Sequence, residues 1–197
     1  MIIGLTGGIA TGKSTVSSYL KKMGYKVIDT DEISSEIIEN KVIIDNIIKE
    51  FGSGILSGKK IDKKKLKKII FEDEEKRKIL NSIMHPEIIS KVKLKIKEFS
   101  LNNELLIVDM PLLYEVSFEN EVNKVIVVYL PFEIQLQRVM SRDNMDYNDS
   151  CNAIRSQMSL KEKVDKADYI LDNSGTLEEL KEKIYKLIQN IKKNDTV

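Results

Sequence analysis

Short unbroken apolar runs alternate along the chain with stretches in which apolar residues recur every three or four positions. The runs predict strands at residues 2–5, 25–29, 104–109, 124–129 and 167–171. Helical spacing occurs at residues 13–23, 131–140 and 176–191. Because strands and helices alternate, the pattern predicts an α/β fold with a doubly wound parallel sheet of about five strands and right-handed crossovers.

Two parts of the chain interrupt this alternation. Residues 32–100 have a mostly helical pattern, with a glycine-rich hairpin expected at 52–58. A break in the last helix of this block is expected at His85 and Pro86, because proline removes a helical hydrogen bond. Residues 142–166 are polar and rich in charge, and they predict a second, mobile helical excursion.

The composition is typical of a soluble globular protein. Hydrophobic residues make up 42% of the 197 residues, charged residues make up 32%, and the formal net charge is +1. This charge gives no general attraction to nucleic acid or anionic lipid, so any anion site must be local. No apolar run approaches the roughly 20 residues of a membrane helix, and the single cysteine, Cys151, cannot form an intrachain disulfide. We expect a cytoplasmic monomer or weak homo-oligomer that binds neither nucleic acid nor membrane.

The segment between the first strand and the first helix contains a complete phosphate-binding pattern. Residues 7–14 read GGIATGKS, which matches G-x-x-x-x-G-K-[ST]. Glycines let backbone N–H groups turn inward around a phosphate, and the following helix adds its positive end. The lysine would reach the β- and γ-phosphates, and the serine hydroxyl would bind Mg²⁺. The predicted contacts to ATP are Gly8, Ile9, Ala10, Thr11, Gly12, Lys13, Ser14 and Thr15, with Ser14 also the metal ligand.

A phosphate loop does not define where the γ-phosphoryl group goes, and several classes of protein compete. A GTPase would need a guanine-reading N-K-x-D stretch, but residues 123–126 end in isoleucine. An ATPase usually has a second carboxylate after the strand-end aspartate, whereas Asp109 is followed by Met110 and Pro111. Transfer to a bound hydroxyl is therefore favoured. The alternatives left open are another small-molecule or nucleoside monophosphate kinase, and an ATP-dependent binding module without transfer activity.

Three aspartates are candidates for binding or activating the acceptor. Asp29, Asp31 and Asp109 end or follow predicted strands, and the carboxyl ends of parallel strands border the site in an open sheet. Helix or strand capping is the competing explanation for each. It is preferred for Asp29, balanced for Asp109 and disfavoured for Asp31.

Arginines could stabilise the charge that is transferred. Arg138 and Arg142 are four residues apart, which places both guanidinium groups on one face of a helix. Arg155 is a third candidate, although a surface ion pair with Asp143 or Asp146 explains it equally well. Closure of this segment would exclude water from the site.

Several segments together resemble one family, dephospho-coenzyme A kinase, the last enzyme of coenzyme A biosynthesis. The segments are GLTGGIATGKST at 4–15, VIDTD at 27–31, MHP at 84–86, DMPLLYE at 109–115, QLQR at 135–138 with RD at 142–143, QM at 157–158, and AD at 167–168 with DNSG at 172–175. They recur in the family's order and spacing between residue 1 and about residue 191. Other P-loop kinases share the loop but lack the DMPLLYE-like segment and the His-Pro pair.

The resemblance implies a P-loop kinase of three parts. These are a nucleotide-binding core at 1–31, 102–137 and 167–197, a helical substrate-binding insertion at about 32–101, and a helical lid at about 138–166. It also implies that ATP, with Mg²⁺, phosphorylates the ribose 3′-hydroxyl of dephospho-coenzyme A, giving coenzyme A and ADP.

The resemblance further implies roles for residues on the acceptor side. Asp31 would be the base that takes the hydroxyl proton, and Arg142 would contact the transferring phosphate, so that Lys13, Asp31 and Arg142 are the catalytic residues. The expected acceptor-binding residues are Asp31, His85, Asp109, Leu112 and Leu113. Arg155 stands where the family has a small residue, so the resemblance gives it no role.

On the ATP side, the resemblance implies contacts from outside the phosphate loop. Asn173 and Gly175 correspond to the family's adenine loop, and Arg138 is expected to contact ATP. The loop itself departs from the family's commoner GIGSGKS form at Ala10 and Thr11. Alanine narrows the allowed backbone angles but keeps its N–H, so phosphate binding is expected to persist.

Overall fold

The computed structural model describes residues 1–99 and 105–194, without the side chain of Asn194. The chain divides into two compact units, Met1–Ile28 with Asn102–Val197, and Asp29–Leu101. The elements, in chain order, are β1 (Ile2–Gly7), α1 (Lys13–Lys22), β2 (Lys26–Asp29), α2 (Thr30–Ile37), α3 (Lys41–Phe51), β3 (Leu56–Ser57), β4 (Lys60–Ile61), α4 (Lys63–Glu72), α5 (Glu74–Phe99), β5 (Leu106–Asp109), β6 (Lys124–Tyr129), α6 (Phe132–Asp143), α7 (Tyr147–Arg155), α8 (Leu160–Lys166), β7 (Tyr169–Asp172) and α9 (Leu177–Asn194).

The first unit is built on a five-stranded sheet with the order β2-β5-β1-β6-β7. The pairs β1 with β5, β1 with β6, and β6 with β7 are parallel. The central β1 strand aligns Ile3 with Ile107 on one side and Gly4 with Val125 on the other. This places the end of β1, where the phosphate loop starts, between the carboxyl ends of β5 and β6.

The unbroken apolar runs form strands because both faces of the sheet are covered. In β6, Val125, Ile126, Val127 and Val128 are all 4% exposed or less. A strand that is buried on both faces has no position for a polar side chain, which explains why its sequence does not alternate. The predicted strand positions and the α/β class are confirmed, with shifts of a residue or two at their ends. Residue 104, predicted to begin β5, lies outside the described residues.

Amphipathic helices provide the cover. The closing helix α9 buries Leu180, Ile184, Ile188 and Ile191, which recur every three or four residues and so share one face. They belong to the same core cluster as Leu20 of α1 and the inner residues of the sheet. This core holds both ends of the phosphate loop in place.

The second unit is helical. Its long helix α5 packs against α2, α3 and α4, and the buried side chains include Ile33, Ile47, Leu66 and Met84. The predicted hairpin is present but lies later than expected, because residues 53–55 form a 3₁₀ turn before the antiparallel strands β3 and β4.

The predicted helix break at His85 and Pro86 is wrong. α5 runs through Pro86 without interruption. Proline inside a helix costs about 3 kcal/mol or more, since it removes a hydrogen bond and crowds the preceding turn. Here, buried Met84 before the proline and buried Val92 after it hold the two halves of the helix in the packed unit. Tertiary packing therefore outweighs the local cost.

The charged excursion is helical, as predicted. α6 extends to Asp143, α7 packs against α6, and α8 packs against β6. Within the described residues, none of the helices combines the length and the apolar character needed to cross a membrane.

Candidate active site

The loop between β1 and α1 has a backbone that constrains its sequence. Gly12 has a φ of 91°, and a Cβ at this position would lie 2.1 Å from Nδ2 of Asn173. Ala10 has a φ of 59°, which glycine adopts more readily than alanine. The backbone N–H and the hydroxyl of Thr11 both donate to the carbonyl of Gly8, at 3.3 and 2.9 Å. Glycine is therefore required at position 12 by both the backbone angle and the closeness of Asn173.

The start of α1 is arranged to attract an anion. Gly12 caps this end, and among the described residues no side chain forms a capping hydrogen bond there. The first turn contains no acidic residue, while Ser14 and Thr15 are exposed. The N–H groups of the first turn and the positive end of the helix therefore face a region where a phosphate would be stabilised.

Lys13 and Asp109 form an ion pair at the carboxyl end of the sheet. The side chains are 13% and 3% exposed, respectively. Asp109 is the last residue of β5 and aligns with Leu5 of β1, only two residues before the loop begins. The parallel register thus places a carboxylate beside the lysine of the phosphate loop, and a buried pair of this kind fixes the ammonium group in position.

Hydrogen bonds connect two residues predicted to contact ATP, Asn173 and Arg138, to the phosphate loop. Nδ2 of Asn173 donates to the carbonyl of Thr11 at 2.8 Å. Nη2 of Arg138 donates in turn to the carbonyl of Asn173 at 3.2 Å. Gly175 is exposed in the turn between β7 and α9. The structure therefore brings Arg138 and the loop after β7 against the phosphate loop, although the three segments are far apart in sequence.

Arg142 contacts its neighbour in this structure. Its Nε and Nη2 donate to the two carboxylate oxygens of Asp143 at 2.9 and 2.8 Å. The hydrogen bond to Asp143 raises the pKa of Arg142 above its ordinary value. The side chain is 55% exposed at the end of α6, so the ion pair that holds it there is solvated.

Three of the residues predicted for the acceptor side lie in the second unit, namely Asp29, Asp31 and His85. Asp29 caps α2, with Oδ1 accepting from the N–H groups of Asp31 and Glu32 at 3.0 and 3.3 Å. The capping explanation preferred for Asp29 is confirmed. Asp31 lies in the first turn of α2, and His85 is half-buried in the middle of α5.

The segment after β5 and the residue Arg155 belong to the first unit. Leu113 is fully buried, and it fills the space beside Gly4, where a Cβ would lie 2.4 Å from Cδ1 of Leu113. Leu112 is half-buried. Arg155 lines a mainly apolar cavity of about 810 Å³ together with Phe132.

Sequence reasoning assigned no role to two glutamines that hold the phosphate loop. Nε2 of Gln135 donates to the carbonyl of Ile9 at 2.8 Å. Oε1 of Gln157 accepts from the N–H of the same residue at 3.1 Å. A Cβ on Gly8 would lie 2.7 Å from Nε2 of Gln135, so this glycine makes room for the contact. Both glutamines fall in segments that carry the family resemblance, and this resemblance is the sequence signal that could have marked them as functional.

A buried lysine was also missed. Lys163 of α8 is 0% exposed, and its Nζ donates to the carbonyl of Pro111 at 2.8 Å. It also pairs with the carboxylate of Glu115 at 2.9 Å. Burial lowers the pKa of Lys163, Glu115 opposes this effect, and the nearby charge of Lys13 adds to it. A lysine in a charge-rich segment gives no sequence signal of burial.

Known proteins match this chain over nearly its whole length. A family model described as dephospho-CoA kinase matches residues 1–179. A protein of Fusobacterium nucleatum named dephospho-CoA kinase is 43% identical over 192 residues, covering 97% of this chain and 98% of that protein. A protein of the same name from Carboxydothermus hydrogenoformans is 42% identical over 197 residues, covering 98% of this chain and 96% of that protein.

A solved structure has the same fold. The dephospho-CoA kinase from Campylobacter jejuni superposes with a TM-score of 0.75 at 34% identity, and 98% of each chain is covered. The predicted P-loop kinase-type fold is thereby confirmed. The sequence matches and the structural match agree, and the chain therefore belongs to the dephospho-CoA kinase family of ATP-dependent phosphotransferases.

Proposed function

We propose that this protein transfers the γ-phosphoryl group of ATP to the ribose 3′-hydroxyl of dephospho-coenzyme A, forming coenzyme A and ADP. The observation that supports this most directly is the phosphate loop, whose Lys13 is held at the carboxyl end of the sheet by Asp109 of β5. Family membership supports the identity of the acceptor. The reaction would take place in the cytoplasm, on a monomer or weak homo-oligomer.

On the ATP side, the phosphates would lie over the N-terminal end of α1. Backbone N–H groups between Gly8 and Thr15 would surround them, apart from those of Ile9, Thr11 and Thr15, which donate within the protein. Lys13 would approach the β- and γ-oxygens. Arg138 and Asn173 would border the nucleotide, since they already contact each other beside the loop. Their role is electrostatic and positional, which is most of what phosphoryl transfer requires of a protein.

The oxygen donors near the loop suit Mg²⁺. The hydroxyl of Ser14 is exposed, and the carboxylate of Asp109 lies beside Lys13. Mg²⁺ prefers hard oxygen ligands and is usually bound by one or two carboxylates together with phosphates and waters. Ser14 is the proposed ligand. When bound with ATP, the ion would neutralise charge that develops on the phosphates.

On the acceptor side, Asp31 would accept the proton of the 3′-hydroxyl. The hydroxyl oxygen then forms a bond to the γ-phosphorus as the bond to the bridging oxygen of ADP breaks. Arg142 would leave Asp143 to contact the transferring group. The remaining candidates for contacts to the acceptor are His85, Leu112 and the strand-end Asp109. Leu113, also predicted there, is buried in the core of the first unit.

A comparison of acceptors tests the proposed reaction. ADP formation from ATP should be strongly stimulated by dephospho-coenzyme A and not by nucleosides, nucleoside monophosphates or sugars. Stimulation by a nucleoside monophosphate instead would move the protein to a different kinase class. No stimulation by any acceptor, with ATP still bound, would indicate a binding module.

A substitution at the proposed base tests the chemistry. Asp31→Asn should lower kcat by at least about 100-fold, the scale of losing a general base, while the affinity for ADP is unchanged. Asp45→Asn, at an exposed position of α3 in the same unit, is the matched control and should retain full activity. Full activity of Asp31→Asn would remove this residue from the mechanism.

A further inference from the structure

Side chains from helix α6 and from the segment between α7 and α8 hold both backbone polar groups of Ile9. Gln135 donates to its carbonyl at 2.8 Å, and Gln157 accepts from its N–H at 3.1 Å. Ile9 lies in the middle of the phosphate loop, so these contacts restrict the loop where it has no ladder hydrogen bonds. Gln135 lies on the regular helix α6, whereas Gln157 lies between α7 and α8 and needs support of its own.

The carboxylate of Glu115 supplies that support. Its Oε1 accepts from the N–H of Met158, the residue after Gln157, at 3.0 Å. The same carboxylate pairs with Lys163 at 2.9 Å. One side chain therefore fixes the backbone next to Gln157 and is itself fixed by a lysine that is 0% exposed.

The same lysine connects this group to the strand that carries Asp109. Nζ of Lys163 donates to the carbonyl of Pro111 at 2.8 Å, and the hydroxyl of Thr6 donates to that carbonyl at 3.0 Å. Thr6 belongs to β1, directly before the phosphate loop. The contacts thus run from the two strand ends that flank the site, through Glu115, to the loop.

We propose that Glu115, held by Lys163, is a positioning residue of the phosphate loop: by binding the N–H of Met158, it keeps Gln157 on the N–H of Ile9. This deepens the proposed function and rests on it for its effect on catalysis. The physical link itself needs only nucleotide-free protein. The pair of buried Lys163 with partly exposed Glu115 is weak evidence for stability, because apolar residues of similar size often stabilise a protein as well or better. The carboxylate of Glu115, however, orients Met158 by accepting a hydrogen bond from its N–H, and an apolar pair could not reproduce this contact.

The exchange rate of the Ile9 amide with solvent, measured by NMR, tests the link. Gln157→Leu removes the acceptor and should raise this rate about three- to tenfold, the range expected for one hydrogen bond. Glu115→Leu should raise it in the same direction, although Glu115 does not contact Ile9. The variant with both substitutions should exchange no faster than Gln157→Leu, because both act through one bond. Gln137→Leu, at an exposed glutamine of α6, should leave the rate unchanged.

A second variant keeps the test valid if Glu115→Leu does not fold. Lys163→Met removes the ammonium that holds Glu115 and should also raise the Ile9 exchange rate, whereas Lys161→Met, at an exposed position of the same helix, should not. Protection of the Val127 amide in the sheet should stay at the wild-type level. If neither Glu115→Leu nor Lys163→Met changes Ile9 exchange, or if Val127 exchange rises equally, the proposed link is wrong.

Kinetics with ATP then separates positioning from a purely structural role. Glu115→Leu and Gln157→Leu should raise the dissociation constant of ADP and the KM for ATP to a similar extent, with the KM for the acceptor unchanged. Equal loss of ADP affinity in the Lys161→Met control would contradict the proposal. Amide exchange and ADP binding require no acceptor, so they remain informative even if dephospho-coenzyme A is not the substrate.

Discussion

Lys13→Met should destabilise the protein as well as prevent phosphoryl transfer. The substitution removes the cation that pairs with Asp109 and leaves a carboxylate that is 3% exposed. Removing one partner of a buried ion pair costs about 3–5 kcal/mol, because the remaining charge is poorly solvated. The Lys13 side chain is 13% exposed, so water can reach part of the vacated space. We therefore expect the lower end of the range, about 3 kcal/mol.

A second substitution separates the charge effect from the loss of packing. Asp109→Asn, introduced into Lys13→Met, removes the unpaired charge and keeps nearly the same volume. The double variant should therefore recover about 1–2 kcal/mol of the loss, because the two sites are in direct contact and their effects do not add. It should remain inactive, since the ammonium group that contacts the phosphates is still missing.

Thermal unfolding followed by circular dichroism measures both effects. For a chain of this size, about 3 kcal/mol corresponds to a Tm lower by roughly 6–12 °C. Lys186→Met is the matched control, because Lys186 pairs with Glu182 on the exposed face of α9, and exposed pairs of this kind are worth less than about 1 kcal/mol. The reasoning is refuted if Lys13→Met has the same Tm as the wild-type protein, or if adding Asp109→Asn lowers the Tm further.

Three further predictions follow from the site and its surroundings. Gly12→Ala should lower the unfolding free energy by about 2–3 kcal/mol, because it combines left-handed backbone strain with loss of the hydrogen bond made by Asn173; calorimetry should also show loss of ADP binding, and an unchanged Tm would contradict this. Ala10→Gly should raise the unfolding free energy by about 0.5–1 kcal/mol, since relief of strain exceeds the added chain entropy, and a lower stability in urea would count against it. Burial raises the pKa of Tyr114 to about 12 from 10.0. The contribution of Tyr114 to stability is therefore fully present below pH 10 and should be lost as the pH rises towards 12. Tyr114→Phe should remove this loss, and identical dependence of unfolding free energy on pH in the two proteins would show that Tyr114 does not cause it.

The sequence predicted the parts of the fold that depend on local pattern. The run at 124–129 became β6 because a strand buried on both faces must be apolar throughout. The phosphate loop was predicted because its function requires particular residues at fixed spacing. Asp29 was correctly interpreted as a cap, since its geometry depends only on the next three residues.

The parts that depend on distant contacts were not predicted. The pattern predicts a break in the helix at Pro86, but packing elsewhere in the second unit holds that helix together. Lys163 is in a segment of mixed charge and gives no sign that its ammonium is buried against Pro111. Gln157 reaches Ile9 across 148 residues of sequence. No local pattern encodes such a contact, and the family resemblance marked the glutamine without giving its function.

The position of the phosphate on the product tests the central claim most directly. Purified protein would be incubated with ATP, Mg²⁺ and dephospho-coenzyme A, and the product would be examined by ³¹P NMR and mass spectrometry. We predict one new phosphomonoester on the 3′-oxygen of the ribose, formed in equal amount with ADP, and no product from Asp31→Asn in the same time. A phosphate on another oxygen, or release of inorganic phosphate with the acceptor unchanged, would contradict the proposed function.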